Sequence, residues 1–220
     1  EWQLVKLNIT RYKYFLYYQI SNMKIKTFRG GYDNNFAYLI EYQDRALLID
    51  PSYPAKEILA YCEDNRLKLI GVVVMHSHHD HIVDLQTYKH RAITIYAHSS
   101  SKVYKDEAIT EDDVITLGNM NFNVMHTPGH RFDSICLLYK KHLFTSDTLF
   151  VRGCGRVDFE GSDPELMIDT LERIKHLEED ITVYPGHDYG PTKTSTIKDE
   201  KRLNPFLQMT REEFLKNRLG

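Results

Sequence analysis

Apolar and polar residues succeed one another along the chain in short patterns that are typical of strands. Apolar runs of four to eight residues, alternating or unbroken, favour strands over helices. The run at 68–75 has no polar interruption after its first residue, which predicts a strand buried on both faces. We predict strands at residues 23–28, 36–42, 45–50, 68–75, 92–97, 121–127, 134–139, 142–147 and 181–186. The second and third would form a hairpin around Gln43 and Asp44.

Segments whose apolar residues have helical spacing lie between many of these strands. We predict helices at residues 54–67, 81–90, 98–104, 163–177, about 195–204 and about 210–218. In the fourth helix, Asp163 occupies the N-cap position and Pro164 suits the first turn. Strands in each half of the chain with helices between them predict an α/β fold, an αββα four-layer sandwich in which helices cover two sheets.

Residues 1–22 differ from the rest because they are rich in Tyr and Lys and show no clear period. We predict that they form an N-terminal extension and that residues 23–220 form the main domain. The segment lacks the apolar core and small-residue cleavage site of a signal peptide.

The charge and composition of the chain argue against two classes of binding partner, nucleic acid and membranes. The net charge of -3 gives no overall field that attracts nucleic acid or an anionic membrane, and no apolar run approaches the ~20 residues of a membrane span. Three widely spaced cysteines, Cys62, Cys136 and Cys154, argue against a disulfide framework and favour a cytoplasmic setting. We therefore expect neither nucleic acid nor a membrane as a partner.

Residues 76–81 (HSHHDH) directly follow the buried strand at 68–75, where α/β sheets tend to place their ligands. His76 and His78 are two residues apart, so in an extended segment they point to the same side. Asp80 and His81 follow them, whereas we expect His79 to be exposed.

Three later segments also end an apolar strand with a polar residue at a turn. They present His130 after Pro-Gly, Asp147 after LFTS, and His187 after a second Pro-Gly. One fold can bring all four segments to the same rim. Imidazole and carboxylate together suit zinc, iron or manganese, so we interpret the segments as a metal centre.

These motifs resemble the metallo-β-lactamase fold superfamily over about residues 24–208. The seven matching positions are His76, His78, Asp80, His81, His130, Asp147 and His187. The resemblance implies that His76, His78 and His130 hold one divalent metal, that Asp80, His81 and His187 hold a second, and that Asp147 bridges them. It implies zinc first, with iron or manganese as alternatives. Asp80 and Asp147 are then catalytic residues beside a water shared by the metals.

Within the superfamily, the segments NNFAYLI, HTPGH, SICLL, FTSDTLFVRGCGR, YPGHDYGPT and NPFL are most similar to glyoxalase II, a hydroxyacylglutathione hydrolase. This similarity implies that a metal-bridging hydroxide hydrolyses thioesters such as S-acylglutathione. A thiolate with a pKa of about 8.5 leaves without a dedicated general acid.

Two alternatives remain open. The segments RGCGRVDFEG and YPGHDY also resemble the persulfide dioxygenases, in which the residues matching His76, His130 and Asp147 hold a single iron and the substrate is glutathione persulfide. Hydrolysis of lactones or other esters is the second alternative.

The resemblance also indicates substrate contacts. Arg156 and Phe159 lie where glyoxalase II has a basic and an aromatic residue that hold glutathione, although Arg156 can instead pair with Asp158 or Glu160. Tyr189 is a candidate hydrogen-bond donor to the oxyanion, or a packed tyrosine at a strand end.

Three features depart from the glyoxalase II pattern. Ser146 stands where glycine is usual, and Arg131, Phe132 and Asp133 replace a segment of small residues. Only 33 residues follow His187, where glyoxalase II has a helical domain that contacts glutathione. We therefore expect a different pocket wall and a different acyl preference.

Overall fold

The computed structural model describes residues 23–219, so the predicted extension at 1–22 lies outside the described residues. The strands are β1 Met23–Gly30, β2 Asn35–Tyr42, β3 Arg45–Ile49, β4 Lys68–Val74, β5 Thr94–His98, β6 Glu107–Ile109, β7 Val114–Leu117, β8 Met120–His126, β9 Ile135–Tyr139, β10 His142–Ser146, β11 Leu149–Phe150, β12 Gly153–Cys154, β13 Thr182–Pro185 and β14 Ser195–Thr196. The helices are α1 Ala55–Asp64, α2 Leu85–His90, α3 Pro164–Lys175, α4 Ile197–Leu203, α5 Pro205–Gln208 and α6 Arg211–Leu219. A 3₁₀ turn spans His79–His81.

Two six-stranded sheets carry the fold, with a short β11–β12 ribbon beside them. The first sheet has the order β1-β2-β3-β4-β5-β6 and the second β14-β13-β10-β9-β8-β7. The predicted hairpin is confirmed, since Tyr42 pairs with Arg45 and Gln43 adopts a positive φ of 56° at the turn. Strands β3 to β6 run parallel, as do β10 and β13, so their carboxyl ends point the same way within each sheet.

Alternate side chains of the central strands enter different layers of the core. In β2, Phe36, Tyr38 and Ile40 pack between the two sheets, whereas Ala37 and Leu39 pack in the cluster that contains α1 and α2. A third cluster joins the outer face of the second sheet to α3, α4, α5 and α6. The layers are therefore helix, sheet, sheet and helix, which confirms the predicted four-layer sandwich.

The fourth predicted helix begins as expected, because the Asp163 carboxylate accepts hydrogen bonds from the amides of Glu165 and Leu166. In the described range 23–219, none of the helices is long and apolar enough to cross a membrane.

The predicted helix at 98–104 is wrong. His98 ends β5, and the following residues turn irregularly because the serines bond locally: the hydroxyl of Ser100 contacts His98 Nδ1 at 2.7 Å, and the amide of Ser101 donates to the His98 carbonyl. Serine competes in this way with helical hydrogen bonding.

Other boundaries also shift. The helix predicted from His81 begins only at Leu85, because Asp84 has a φ of 51° that interrupts the helical backbone. The strands β6, β7, β11, β12 and β14 and the helix α5, none longer than four residues, were missed because such short elements have too few residues to show a period.

Candidate metal centre

The four polar segments that the sequence singles out meet at one rim of the sandwich, where β4, β8, β10 and β13 end. His76 and His78 follow β4, and His130 lies four residues beyond β8. Asp147 and His187 follow the parallel strands β10 and β13, which place them side by side. All seven side chains that the sequence singles out come together here.

Three histidines and one carboxylate form the first donor cluster. His78 Nδ1 lies 3.1 Å from His76 Nε2 and 2.9 Å from His130 Nε2. Asp147 Oδ2 closes the cluster, 3.5 Å from His130 Nε2 and 3.9 Å from His76 Nε2.

The second donor cluster shares Asp147 with the first. His81 Nε2 lies 3.1 Å from His187 Nε2 and 3.3 Å from Asp80 Oδ2. Asp147 faces this cluster as well, with Oδ2 3.3 Å from His187 Nε2 and Oδ1 3.4 Å from His81 Nε2. Its carboxylate therefore lies between the two clusters.

This donor set fits divalent metal ions. Four tetrahedral ligand atoms at about 2.0–2.1 Å from one zinc ion lie roughly 3.3–3.4 Å from each other, which falls within the 2.9–3.9 Å separations of the two clusters. The buried Oδ1 of Asp147 has no hydrogen-bond partner among the described residues, and a bound cation would satisfy it. His76, His78 and His130 could hold one metal, and Asp80, His81 and His187 another.

Asp50 and Ser146 orient two of the histidines from behind, and sequence reasoning did not identify either as a site residue. The Asp50 carboxylate contacts His81 Nδ1 at 2.9 Å and accepts a 2.6 Å hydrogen bond from the Ser146 hydroxyl. The same hydroxyl lies 3.2 Å from His76 Nδ1. Asp50 ends the apolar run RALLID as Asp147 ends its own, so the strand-end pattern could have identified it.

Two backbone carbonyls and one side-chain amide contact three further candidate ligands. His130 Nδ1 lies 2.8 Å from the Arg156 carbonyl oxygen, and His187 Nδ1 lies 2.8 Å from that of Asp33. The Asn35 amide donates to Asp80 Oδ2 at 2.9 Å. The two carbonyl contacts lie on the far side of their histidines, where such contacts fix the orientation of a ligand and raise its affinity for metal. The Asn35 amide instead faces the donor atoms, since its nitrogen also lies 3.3 Å from His81 Nε2 and 3.5 Å from His187 Nε2.

The histidines of the two clusters differ in the direction in which their pKa values shift. Burial lowers the pKa of His76 and of His130 and brings that of His78 down to about 4, which keeps each imidazole neutral with one ring nitrogen able to bind a metal. Burial also opposes the charged form of His81 and His187, yet the surrounding carboxylates, Asp50 and Asp147 foremost, outweigh it and raise both pKa values.

Burial likewise disfavours the charged carboxylates, but nearby histidines reverse the effect. His81 leads this reversal and lowers the pKa of both Asp80 and Asp147. The carboxylates are therefore available as anionic ligands.

Glycine is required at two places around Asp147. A Cβ on Gly186 would lie 2.3 Å from Asp147 Oδ1, and a Cβ on Gly155 would lie 2.0 Å from the Asp147 carbonyl oxygen. Any side chain at either position would displace the shared carboxylate.

A cavity of about 500 Å³ opens above the donor clusters. The candidate ligands His78, Asp80, His130, Asp147 and His187 form part of its lining, with aromatic rings from Phe150, Phe159 and Tyr189 and charged side chains from Asp33, Arg131, Arg156 and Glu160. Its size suits a small molecule with one polar reacting group.

The sequence-predicted substrate residues all line this cavity, with different surroundings. The Arg156 guanidinium makes two hydrogen bonds to Asp158, which is the ion pair raised as its alternative role, and lies 4.3 Å from the Phe159 ring centroid. Tyr189 stacks on the His187 ring at 4.6 Å between centroids and donates its hydroxyl hydrogen bond to Asp33. His79 is exposed as expected.

A four-layer α/β/β/α sandwich with two histidine-rich donor clusters at its strand ends defines a class of metal-binding proteins. The family model described as the metallo-beta-lactamase superfamily matches residues 30–187. The chain belongs to the metallo-β-lactamase superfamily.

Individual relatives agree with this assignment. The chain is 32% identical over 200 residues to a probable polyketide biosynthesis zinc-dependent hydrolase, PksB, of Bacillus subtilis, covering 86% of this chain and 88% of the relative. It is 36% identical over 163 residues to a hydroxyacylglutathione hydrolase of Francisella tularensis subsp. novicida, covering 70% of this chain and 63% of that protein, so the match spans less than two thirds of the relative.

Among solved structures, ETHE1 from Myxococcus xanthus superimposes with a TM-score of 0.81 at 31% sequence identity. The superposition covers 90% of this chain and 92% of that one.

Proposed function

We propose that the protein is a binuclear metallohydrolase that cleaves thioesters such as S-acylglutathione. The observation that carries this proposal is the placement of the Asp147 carboxylate between two complete donor clusters, 3.5 Å from His130 Nε2 on one side and 3.3 Å from His187 Nε2 on the other. A pair of divalent cations held there, zinc foremost, would activate a water molecule and polarise the acyl carbonyl.

The chain's own residues support hydrolysis by holding the site rigid before substrate binds. Every histidine of the second cluster has a fixed partner: Asp50 for His81 and the Asp33 carbonyl for His187. Preorganised polar groups are a major source of rate enhancement.

The aromatic residues at the mouth suit an extended substrate. Phe159 makes an edge contact with His78 at 5.5 Å between centroids, and Tyr189 covers His187. We propose that these rings flank the substrate and exclude water from the reacting carbonyl. Breaking of the Tyr189 bond to Asp33 would free its hydroxyl to donate to the oxyanion.

The setting that we propose is cytoplasmic. The thiols of Cys62, Cys136 and Cys154 are all buried and unpaired, which is consistent with a reducing compartment. In this setting, a small thioester built on a cellular thiol is the substrate class that fits the cavity.

The second candidate is a mono-iron persulfide dioxygenase. It is favoured by the first donor cluster, in which His76, His130 and Asp147 supply two nitrogens and one carboxylate to a common point. Such a face with open positions is typical of non-haem iron oxygenases. The relatedness to the Francisella hydrolase supports the hydrolase over this candidate.

His187→Gln distinguishes the two functions, because His187 belongs only to the second cluster. For the hydrolase, we expect the metal content to fall from about two to about one per chain and kcat/KM for S-acylglutathione to fall by about 100-fold or more. For the dioxygenase, oxygen uptake with glutathione persulfide would be retained. The measurements are elemental analysis, thioester hydrolysis and an oxygen electrode on the same preparations.

His90→Gln is the matched control, since His90 is an exposed histidine at the end of α2. It should retain the parent's metal content and rate. Full hydrolysis by His187→Gln with one metal per chain would contradict the binuclear proposal.

A further inference from the structure

Arg131 occupies the deep wall of the cavity, directly after the ligand His130. Its side chain is 19% exposed, compared with 62% for Arg156. The sequence already marked this position as a departure from the small residues usual there. The structure shows that the larger side chain lines the cavity rather than leaving it.

The Arg131 guanidinium is held from two sides. Nη2 donates to the Ser77 hydroxyl at 3.2 Å, between the ligands His76 and His78, and Nη1 donates to the Glu160 carbonyl at 2.5 Å. These bonds connect the metal-ligand loop to the loop that carries Phe159. The guanidinium is therefore positioned before any substrate arrives.

A buried carboxylate pairs with this guanidinium from behind, at ion-pair distance and without a hydrogen bond. Asp133 Oδ1 lies 4.0 Å from Arg131 Nε, beyond hydrogen-bond distance, and the Asp133 side chain is fully buried. Among the residues that the structure describes, Nε has no hydrogen-bond partner. Nε is itself buried and faces Asp133, so of the five N–H donors of a guanidinium the second N–H on each of Nη1 and Nη2 is available to an acceptor.

Arg156 differs in this respect. Both of its observed hydrogen bonds go to the Asp158 carboxylate, at 2.8 and 2.5 Å, and the pair is exposed. A half-buried guanidinium with unused donors binds an anion more strongly than an exposed one that must first leave its partner.

We propose that Arg131 binds a carboxylate of the substrate close to the reacting carbonyl, so that the protein selects carboxylate-bearing thioesters. This inference rests on the proposed thioester hydrolysis. The carboxylate can belong to the acyl half or to the thiol half of the substrate, and the chemistry that Arg131 recognises is the same in both.

Four thioesters separate the two sources. Butyryl and succinyl esters of N-acetylcysteamine and of glutathione place a carboxylate on neither half, on the acyl half, on the thiol half, or on both. For the parent protein, we expect a lower KM for the thioesters that carry a carboxylate on the half that reaches Arg131 than for butyryl-N-acetylcysteamine, which carries none.

Arg131→Gln should raise KM for that carboxylated substrate by about 10- to 100-fold and change kcat by less than about threefold, because a charge-assisted hydrogen bond is lost. KM for butyryl-N-acetylcysteamine should stay within about threefold, which also shows that the variant folds. Arg131→Lys, which keeps the charge without the planar fork, should give an intermediate KM.

Arg45→Gln removes an exposed positive charge at the start of β3, the end of the strand opposite the rim, and serves as the matched control. Arg156→Gln tests the competing arginine. A parent without any preference for carboxylated thioesters would overturn the inference, as would a preference lost in Arg156→Gln but kept in Arg131→Gln.

Direct binding separates this inference from the proposed function. Calorimetry with S-methylglutathione, S-methyl-N-acetylcysteamine and succinate needs no turnover. Weaker binding of the carboxylated ligands by Arg131→Gln, in a protein that hydrolyses none of the four thioesters, would support Arg131 and reject the hydrolase. Equal affinity of parent and Arg131→Gln for every ligand would reject the role of Arg131.

Discussion

Ser146 shows how a single residue serves both backbone geometry and the metal centre. Its φ of 44° is in the left-handed region, which explains why glycine is usual at this position in the glyoxalase II pattern. The serine accepts that backbone strain and places a hydroxyl between Asp50 and His76. The serine that replaces the usual glycine therefore helps to orient the candidate ligand His76.

Two substitutions separate the strain from the hydrogen bonds. Ser146→Ala and Ser146→Gly both lose the hydroxyl, which should cost about 1–3 kcal/mol of unfolding free energy. Glycine also relieves the left-handed backbone by about 1–2 kcal/mol, so Ser146→Gly should be more stable than Ser146→Ala by about that amount. Denaturant unfolding measures both. An alanine variant at least as stable as the glycine variant would contradict this explanation.

At the scale of elements, a stacked histidine pair joins the two sheets next to the metal centre. His98 ends β5 and His126 ends β8, and their rings stack with centroids 4.0 Å apart. Burial, followed by the charge of His126, lowers the pKa of His98, with smaller effects from Asp133, Lys105 and Glu111. The contact between these strand ends therefore favours a neutral His98.

This pair predicts a pH-dependent contribution to stability. Because the pKa of His98 is lower in the folded state, the unfolded chain takes up the proton first as the pH falls below about 6.5. The unfolding free energy should then decrease between pH 7.5 and 5, and it should decrease less in His98→Gln. Unfolding curves at both pH values test this, with the exposed His90→Gln as the control. An identical decrease in the parent and in His98→Gln would rule out the contribution.

At the scale of the whole molecule, the proposed metal centre connects the two halves of the sandwich. Its ligands come from both sheets, with His76, His78, Asp80 and His81 after β4 and the other three after strands of the second sheet. Metal binding therefore requires both halves to be folded and correctly placed, and it should stabilise the complete fold rather than one loop.

Removal of metal tests this connection. At a free metal concentration 100 times Kd, binding adds about 2.7 kcal/mol, so a chelator should lower Tm by roughly 5–10 °C for a chain of this size. Asp147→Asn, which removes the shared negative charge, should show a smaller shift with chelator. Differential scanning calorimetry would reveal both effects. A Tm unchanged by chelator in the parent would argue against a high-affinity site.

The strand-end ligands could be predicted from the sequence because their signals are local. An apolar strand that ends in His or Asp at a turn can be identified within about eight residues, and the same pattern recurs around His76, His130, Asp147 and His187. The four-layer arrangement could be predicted for a similar reason, because the two-residue period of strands sends alternate side chains to opposite faces of a sheet.

The tertiary structure alone decided the contacts that have no sequence period. The carbonyls of Asp33 and Arg156 hold His187 and His130, and any residue type supplies a carbonyl, so neither position could be recognised from its side chain. Arg131 and Ser77 are 54 residues apart, and their contact depends on how two loops meet. The sequence determined which groups reach the rim, whereas packing of the two sheets determined what orients them and which guanidinium is free to bind.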